Sequence, residues 1–287
     1  MIPLMLTAFV LSAAPADPEV GGVRLSQWRK LLAHPGADQR RAAIRRLDDL
    51  GPAAAPAAGL LGEALADRDP QVARAAASTL VRIGPEAAPA VPALIEALKP
   101  VPDWRLRENA AMALGRIGPA AKPALPKLLA IIRDDTDADV RAASAVAAGE
   151  IAADESEVVK AMAEALSAER PTLRCAAAVS LQKAGPAAKP AVTALAKALA
   201  DGEWLVRSHA AQALAAVGPA AAEAVPALVT ALADKESLVR RRVATALGKI
   251  GPAAAGAAGA LRKSAAEDRD PAVRAAAAEA LQALGGK

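Results

Sequence analysis

The chain has 287 residues, of which 54% are hydrophobic but only 1% aromatic, and its 35 basic and 31 acidic side chains leave a net charge of +4. This small excess of mixed charge does not resemble a nucleic-acid-binding surface. The scarcity of aromatic side chains argues against a bilin pocket and against base stacking. Cys175 is the only cysteine, so no intramolecular disulfide can form.

The first sixteen residues carry no charged side chain and end in Ala14-Pro15-Ala16. A short apolar run before an A-x-A site is typical of a secretory signal peptide, which we predict over residues 1–16. The run is too short to span a bilayer, and we predict no other membrane segment. We therefore expect export to the periplasm or the exterior, with a cytoplasmic protein as the alternative. Residues 17–24 read as a polar linker.

From residue 25 onward, one unit of about 33 residues recurs. A glycine marks the same point in nearly every copy, and a proline follows it in most. Glycine can end a helix in the left-handed region and proline cannot continue it, so each unit reads as helix A, a break and helix B. The break glycines are Gly51, Gly84, Gly118, Gly185, Gly218, Gly251 and Gly285, and Ala152 fills the one remaining slot.

Both predicted helices have one apolar face. In the copy around Gly84, Val72, Leu80 and Ile83 recur at helical spacing before the break, and Val91 and Leu94 after it. Neither helix can bury such a face alone, whereas stacked pairs bury it continuously. We predict an array over residues 25–287, with a helix B cap at 25–34, seven A–B repeats over 37–267 and a terminal helix A at 270–285.

The consensus of the copies, D-x-x-V-R-x-x-A-A-x-A-L-x-x-I-G-P, is carried in its first part by Asp270–Leu281. It resembles the short HEAT-like repeats first described in phycobilisome lyases, and the resemblance covers about residues 25–285. This implies an all-α, right-handed α-solenoid of about eight HEAT-like helix pairs. It implies little about function, because the family includes scaffolds, lyases and hydroxylases.

An arginine occupies one slot of helix A in most copies, and an acidic residue stands four positions earlier, at the start of the helix. We interpret the acids as helix caps and the arginines as a structural ladder that bridges to an acid of the same or the next repeat. A phosphate-binding row is the alternative. The ladder arginines are Arg40, Arg107, Arg141, Arg174, Arg207, Arg240 and Arg274. The acids are Asp69, Asp103, Asp137, Glu203, Glu236 and Asp270.

No catalytic or metal-binding constellation is predicted, and no cofactor. His34 and His209 are the only histidines, so the His-Glu pairs of the deoxyhypusine hydroxylases, which have HEAT-like repeats, are missing. The D-x-D-x-D run at Asp135–Asp139 is similar to a calcium loop, but Val140 and Val146 stand where that loop requires Gly and Glu.

Candidate partner-binding residues come from two patterns. The twelfth position after each break should project away from the buried side of helix B. In the HEAT family, B helices usually line the concave surface, so this row should face a groove that is acidic at one end and basic at the other. Trp104 and Trp204 occupy equivalent positions on one rim, where they either pack on the turn or bind a partner. The charged members of the row are Glu63, Glu96, Glu164, Lys197 and Lys263.

These features favour a non-catalytic scaffold, expected to be a monomer, that presents a concave helical surface to a protein partner. One alternative is a lyase or chaperone-like enzyme that acts on a chromophore-bearing protein. The other is a binder of nucleic acid or another polyanion, which the low net charge disfavours.

Overall fold

The computed structural model describes residues 17–100 and 102–285, so the predicted signal peptide lies outside the described residues. Within them, A and B helices alternate along the whole array, which confirms the predicted all-α solenoid. The A helices are α2 (Ala37–Leu50), α4 (Pro70–Ile83), α6 (Trp104–Ile117), α8 (Ala138–Ala152), α10 (Pro171–Ala184), α12 (Trp204–Val217), α14 (Ser237–Ile250) and α16 (Pro271–Ala283). The B helices are α1 (Leu25–Leu32), α3 (Ala58–Ala64), α5 (Val91–Ala97), α7 (Leu125–Asp134), α9 (Ser156–Ala165), α11 (Val192–Ala198), α13 (Val225–Ala231) and α15 (Ala258–Glu267).

A short 3-10 helix joins A to B wherever the Gly-Pro break is present. Each begins at the break glycine and runs for seven residues, so helix B starts at the seventh position, where its first apolar residue was predicted. The six segments are Gly51–Ala57, Gly84–Ala90, Gly118–Ala124, Gly185–Ala191, Gly218–Ala224 and Gly251–Ala257.

The break glycines do not adopt the left-handed helical conformation that the sequence suggested. Gly118 has φ 72° and ψ −140°, which is the mirror image of an extended conformation. The tighter 3-10 turn that follows requires the chain to reverse direction here, and only glycine enters this region freely.

The repeat without a break glycine is built differently. Helix α8 continues through Ala152, and Ala153 keeps helical angles of φ −59° and ψ −30°. No 3-10 segment follows, and α9 begins at Ser156, the fourth position after Ala152 instead of the seventh. Ala152 therefore bears no left-handed strain, because the glycine geometry is absent from this repeat.

Residues 19–24 form a hairpin and not the linker that the sequence suggested. Strands Glu19–Val20 and Val23–Arg24 pair antiparallel around Gly21 and Gly22, both of which have positive φ. Val20 is buried, and its carbonyl accepts a 3.0 Å hydrogen bond from the buried Trp28 indole. The hairpin therefore covers the apolar side of α1.

The core runs continuously between the two helix layers, and the A layer is the tighter one. A Cβ added at Gly115 would lie 2.9 Å from the Cα of Ala147, and one at Gly248 would lie 3.0 Å from the Cα of Ala280. Neighbouring B helices contact each other much less than neighbouring A helices do, and most B helices pack chiefly on the A helix that follows them. A stack whose A layer is more closely spaced curves towards that layer, so the A helices form its inner surface.

One stretch of the described residues, Trp204–Ala231, is long and apolar enough to cross a membrane by length and composition alone. It consists of α12, a 3-10 segment and α13, and it changes direction at Gly218. Its apolar character is that of two packed helices in the array.

Candidate protein-binding face

Largely buried arginines tie five of the B–A turns to the next one along the array. The Nε and Nη2 atoms of Arg207 donate to the carboxylate of Asp234 at 2.6 and 2.9 Å, and its Nη1 donates to the carbonyls of Asp201 and Gly202. Both charged side chains are only 8% exposed. The same two-pronged pairing joins Arg40 to Asp67, Arg107 to Asp135, Arg174 to Asp201 and Arg240 to Asp268.

The partner aspartates stand two residues before the acids that the sequence analysis selected. Asp234, for example, precedes Glu236 and also accepts a 2.9 Å hydrogen bond from its backbone N–H. The repeated D-x-D or D-x-E spacing at these turns was the available signal. Among the selected acids, those that accept N-cap hydrogen bonds are Asp69, Asp103, Asp137 and Asp270, whereas Glu203 and Glu236 make no such bond.

These pairs shift the acidity of both partners. Burial alone would raise the pKa of Asp234, but hydrogen bonds from Arg207 and from the backbone of Glu236 outweigh it and hold the pKa below its usual value. Burial would likewise raise the pKa of Asp201, but hydrogen bonds from Arg174 and from the backbone of Glu203 hold it below its usual value. Hydrogen bonding to Asp234 raises the pKa of Arg207. The guanidinium groups of these paired arginines already donate to aspartates and carbonyls of the chain. They are therefore not available as a row of phosphate-binding groups.

Two predicted ladder arginines do not make the two-pronged pair. Arg141 donates its Nε to the carbonyl of Ile132, because Ala168 stands where the other repeats carry the partner aspartate. Arg274 donates to the carbonyl of Asp268 and lies in the last helix of the array. In the repeat of α4 the sequence has lost both partners, since Ala73 and Val101 occupy their slots.

The charged row on helix B is exposed but does not line the inner surface. Its residues Glu63, Glu96, Glu164, Lys197 and Lys263 are all exposed. The closer spacing of the A helices places the row on the outer side, so the expectation that it faces a concave groove is wrong. Glu63 pairs with Arg29 of the preceding B helix, and Glu96 with Lys99. Partner binding by this row stays a prediction.

The two tryptophans differ in their surroundings. Trp104 packs against the core, and the guanidinium of Arg105 lies 4.4 Å from its ring centre. Trp204 is 39% exposed at the start of α12. Trp104 thus packs at the start of α6, while Trp204 presents more of its aromatic surface to solvent.

The inner surface has an apolar groove that the sequence analysis did not single out. It crosses α6, α8 and α10, encloses about 600 Å³ and is lined by Met112, Val146, Cys175 and Val179. Met112 and Val146 are 43% and 46% exposed, and because they line one groove they form an apolar patch instead of scattered exposed side chains. Met112, Val146 and Val179 occupy the sixth position before their breaks. This row of apolar residues on the solvent-facing side of helix A is the sequence pattern that could have predicted the groove.

Charge is distributed unevenly around this groove. Glu108 and Asp139 line it at the N-terminal ends of the helices, and Arg116 and Glu150 line it at the C-terminal ends. Glu150 pairs with Lys183. Burial raises the pKa of Glu108, and the negative charges of Asp139 and Asp137 raise it further, although Arg105 opposes them. Burial also raises the pKa of the Cys175 thiol, which keeps it protonated and unreactive at neutral pH.

Further along the inner surface, α12 and α14 meet through polar side chains. Arg242 donates a 2.6 Å hydrogen bond to the buried hydroxyl of Ser208. Burial lowers the pKa of His209, and the charge of Arg242 lowers it further. Within the described residues, no cluster of three or more His, Cys, Asp or Glu side chains could hold a metal ion.

Comparison with known proteins agrees with this architecture. The profile of HEAT repeats matches residues 58–149, 125–215 and 192–282. No curated protein sequence matches the chain. An engineered protein of known crystal structure is 24% identical over 91% of this chain and 78% of its own, with a TM-score of 0.68.

Two further solved structures are similar over most of this chain. Kap121p bound to Pho4p is 15% identical, with a TM-score of 0.60, over 91% of this chain and 33% of Kap121p. Human deoxyhypusine hydroxylase in complex with glycerol is 26% identical over 92% of this chain and 96% of its own, but its TM-score of 0.38 supports no structural argument. The matches to the HEAT repeat profile extend over most of the sequence, and the chain belongs to the HEAT repeat family.

Proposed function

We propose that this HEAT repeat chain is a non-catalytic scaffold that binds a protein partner on its inner, A-helix surface. The observation that carries the proposal is the groove across α6, α8 and α10, where Met112 and Val146 expose apolar surface. Exposed apolar surface rimmed by charge marks protein-binding sites more often than it marks catalytic ones.

The shape of the groove supports a macromolecular ligand. It is open and shallow and is built from three parallel helices, whereas small-molecule sites usually enclose most of the ligand. The surrounding acids disfavour phosphate-rich ligands, since Glu108 and Asp139 would repel them. A helical partner surface or an extended segment would instead cover Met112 and Val146 and remove them from water.

Affinity capture from the native host tests this proposal. We expect the wild-type chain to retain a protein that a Met112→Asp, Val146→Asp double variant loses, because a buried unpaired carboxylate opposes docking. Leu31→Asp is the matched control, since Leu31 is 37% exposed on the B helix α1. Retention of the same protein by the double variant would contradict the proposal. A bound pigment would favour a lyase, and polyanions that elute steeply with salt would favour a polyanion binder.

We also propose that the protein acts outside the cytoplasm. Support comes from the uncharged stretch 1–16 and its Ala14-Pro15-Ala16 site. Intact mass of protein recovered from the native host should begin at Asp17. Recovery of cytoplasmic protein that retains residues 1–16 would contradict this.

A further inference from the structure

Apolar surface and negative charge meet at one end of the inner groove. Glu108 on α6 and Asp139 on α8 line the same groove as Met112 and Val146. We call these two acids the acidic rim. A partner that covers the apolar side chains must also cover or neutralise the rim, so the rim constrains the chemistry of the partner.

The acidic rim is only partly compensated, because burial and the charges of Asp139 and Asp137 raise the pKa of Glu108 in spite of the nearby Arg105. Neither Glu108 nor Asp139 forms an ion pair with any residue in 17–100 or 102–285, whereas Glu150, at the other end of the groove, pairs with Lys183. Glu108 is partly buried, and its carboxylate lies near those of Asp137 and Asp139. Docking of an uncharged or acidic surface here would bury like charges without a partner, which is unfavourable.

We propose that the groove binds a protein segment whose apolar side chains contact Met112 and Val146 and whose lysine or arginine pairs with Glu108 and Asp139. This inference rests on the proposed function and names the chemistry of the partner. A cation in this position would relieve the repulsion between the acids and, once desolvated, would form charge-assisted hydrogen bonds. The net charge of +4 means that general electrostatic attraction would not favour a basic segment elsewhere on the chain.

Two synthetic peptides test the charge preference. Both are amphipathic helices of about fourteen residues, about four turns, with leucine on one face and either lysine or glutamate on the other. Fluorescence anisotropy of each labelled peptide measures its binding to the purified chain. We expect the lysine peptide to bind about tenfold more tightly than the glutamate peptide, and its affinity to fall as salt is added.

Three variants locate the binding. Glu108→Gln with Asp139→Asn should weaken the lysine peptide about fivefold or more and flatten its salt dependence. Glu63→Gln with Glu96→Gln removes the same charge from the outer B-helix surface and should change neither the affinity of the lysine peptide nor its salt dependence. Met112→Ser with Val146→Ser should weaken both peptides, and circular dichroism checks that every variant is folded.

The outcomes separate this inference from the proposed function. If the rim variant binds the lysine peptide like the wild type while the Met112→Ser, Val146→Ser variant loses it, the charge inference is overturned and the scaffold proposal stands. Equal affinity for the two peptides would also overturn the charge inference. If neither the rim variant nor the apolar variant changes binding, both proposals fail.

Discussion

Arg207 joins three segments of the chain with one side chain. Its Nε and Nη2 atoms bind Asp234 after helix α13, and its Nη1 binds two carbonyls before helix α12. All of its charge is therefore satisfied inside the protein, which is the condition under which a buried guanidinium is tolerated. The pair fixes the distance between two successive turns, and hence the spacing of the repeats.

Loss of Arg207 should destabilise the fold. Arg207→Ala removes one member of a buried pair, so we expect the free energy of unfolding to fall by about 1–3 kcal/mol. Arg82→Ala is the control, because the Arg82 side chain is 54% exposed in its pair with Asp48 and such pairs contribute at most about 1 kcal/mol. Chemical denaturation measures both. Equal losses in the two variants would show that burial does not determine the strength of the pair.

The same pairs make stability depend on pH. Asp67, Asp135, Asp201, Asp234 and Asp268 have folded pKa values below the ordinary value. The unfolded chain therefore binds more protons in acid, and stability rises with pH in that range. The contribution is complete above the unfolded aspartate pKa of about 3.9 and is lost as the pH falls through the folded values.

Urea denaturation between pH 7 and pH 2.5 measures this dependence. We expect Asp234→Asn to reduce stability at neutral pH and to make the fall in acid shallower, since one lowered carboxylate is gone. A wild-type stability that does not decline below about pH 4 would contradict the assignment.

Of the ladder, the arginine positions could be predicted from the sequence, but their partner aspartates could not. The arginine slot was visible because it recurs, and its structural role follows from its place at the edge of the apolar face. The acid was misassigned because the acids at the helix starts are nearer in sequence and chemically equivalent. The joint absence of both partners at Ala73 and Val101 identifies the correct pairing only once the turns are known to lie side by side.

Among the elements, the break between helices A and B was predicted in place but not in geometry. Gly-Pro stops helix A, and the apolar spacing after it puts the start of helix B at the seventh position, as at Val91 and Val225. Nothing in that pattern separates a left-handed cap from the extended mirror-image conformation of Gly118, because glycine satisfies both. The 3-10 segment that follows selects the extended mirror-image conformation of the glycine. This segment could not be predicted, because its residues are mostly alanine and proline and show no hydrophobic periodicity.

Substitution of Gly118 distinguishes the two geometries. A left-handed cap accepts asparagine, whereas φ 72° with ψ −140° excludes every residue with a Cβ. We expect Gly118→Asn and Gly118→Ala to destabilise the fold equally, by about 1–3 kcal/mol in thermal or chemical denaturation.

Ala152→Gly provides the opposite control. Ala152 lies within the α-helix α8, so glycine there should cost about 0.5–1 kcal/mol and relieve no strain. If Gly118→Asn is tolerated, or if Ala152→Gly stabilises the fold, the residue at that break adopts the left-handed cap conformation after all.

At the scale of the whole molecule, the repeat and its period could be predicted from the sequence, but the direction of curvature could not. Curvature depends on small differences between the helix spacings of the two layers, which arise from contacts such as Gly115 against Ala147. The family-based expectation assigned the inner surface to the wrong helix of each pair. Consequently the charged row was selected and the Met112–Val146 groove was missed.

The repeat of α8 and α9 should be the least stable part of the array. It lacks the Gly-Pro break, and Arg141 has no carboxylate opposite it because the slot holds Ala168. Solenoid stability is a sum of repeats and their interfaces, so the amides of α9 should exchange with deuterium faster than those of α11. Hydrogen–deuterium exchange with mass spectrometry measures the difference.

Ala168→Asp should correct this weakness. The substitution places a carboxylate opposite Arg141 at the sequence spacing that joins Arg174 to Asp201. We expect slower exchange in α9, by about fivefold for about 1 kcal/mol of pairing, and no such change in the Ala168→Asn control. Exchange that stays as fast as in the wild type would show that the missing pair does not limit this repeat.

The interrupted ladder has a mechanical consequence. From Ala168 to Arg274 the turns are linked in an unbroken series, because each aspartate that receives one arginine offers its backbone carbonyl to the next. Before α8, Arg107 and Asp135 tie the neighbouring turns in the same way. The ladder is thus interrupted at α8 and α9, as it is at α4 where Ala73 and Val101 fill both slots, and the inner groove crosses the interruption at α8. A ligand seated on Met112, Val146 and Val179 would bridge the helices on either side of this interruption and would restrict their relative motion as it binds.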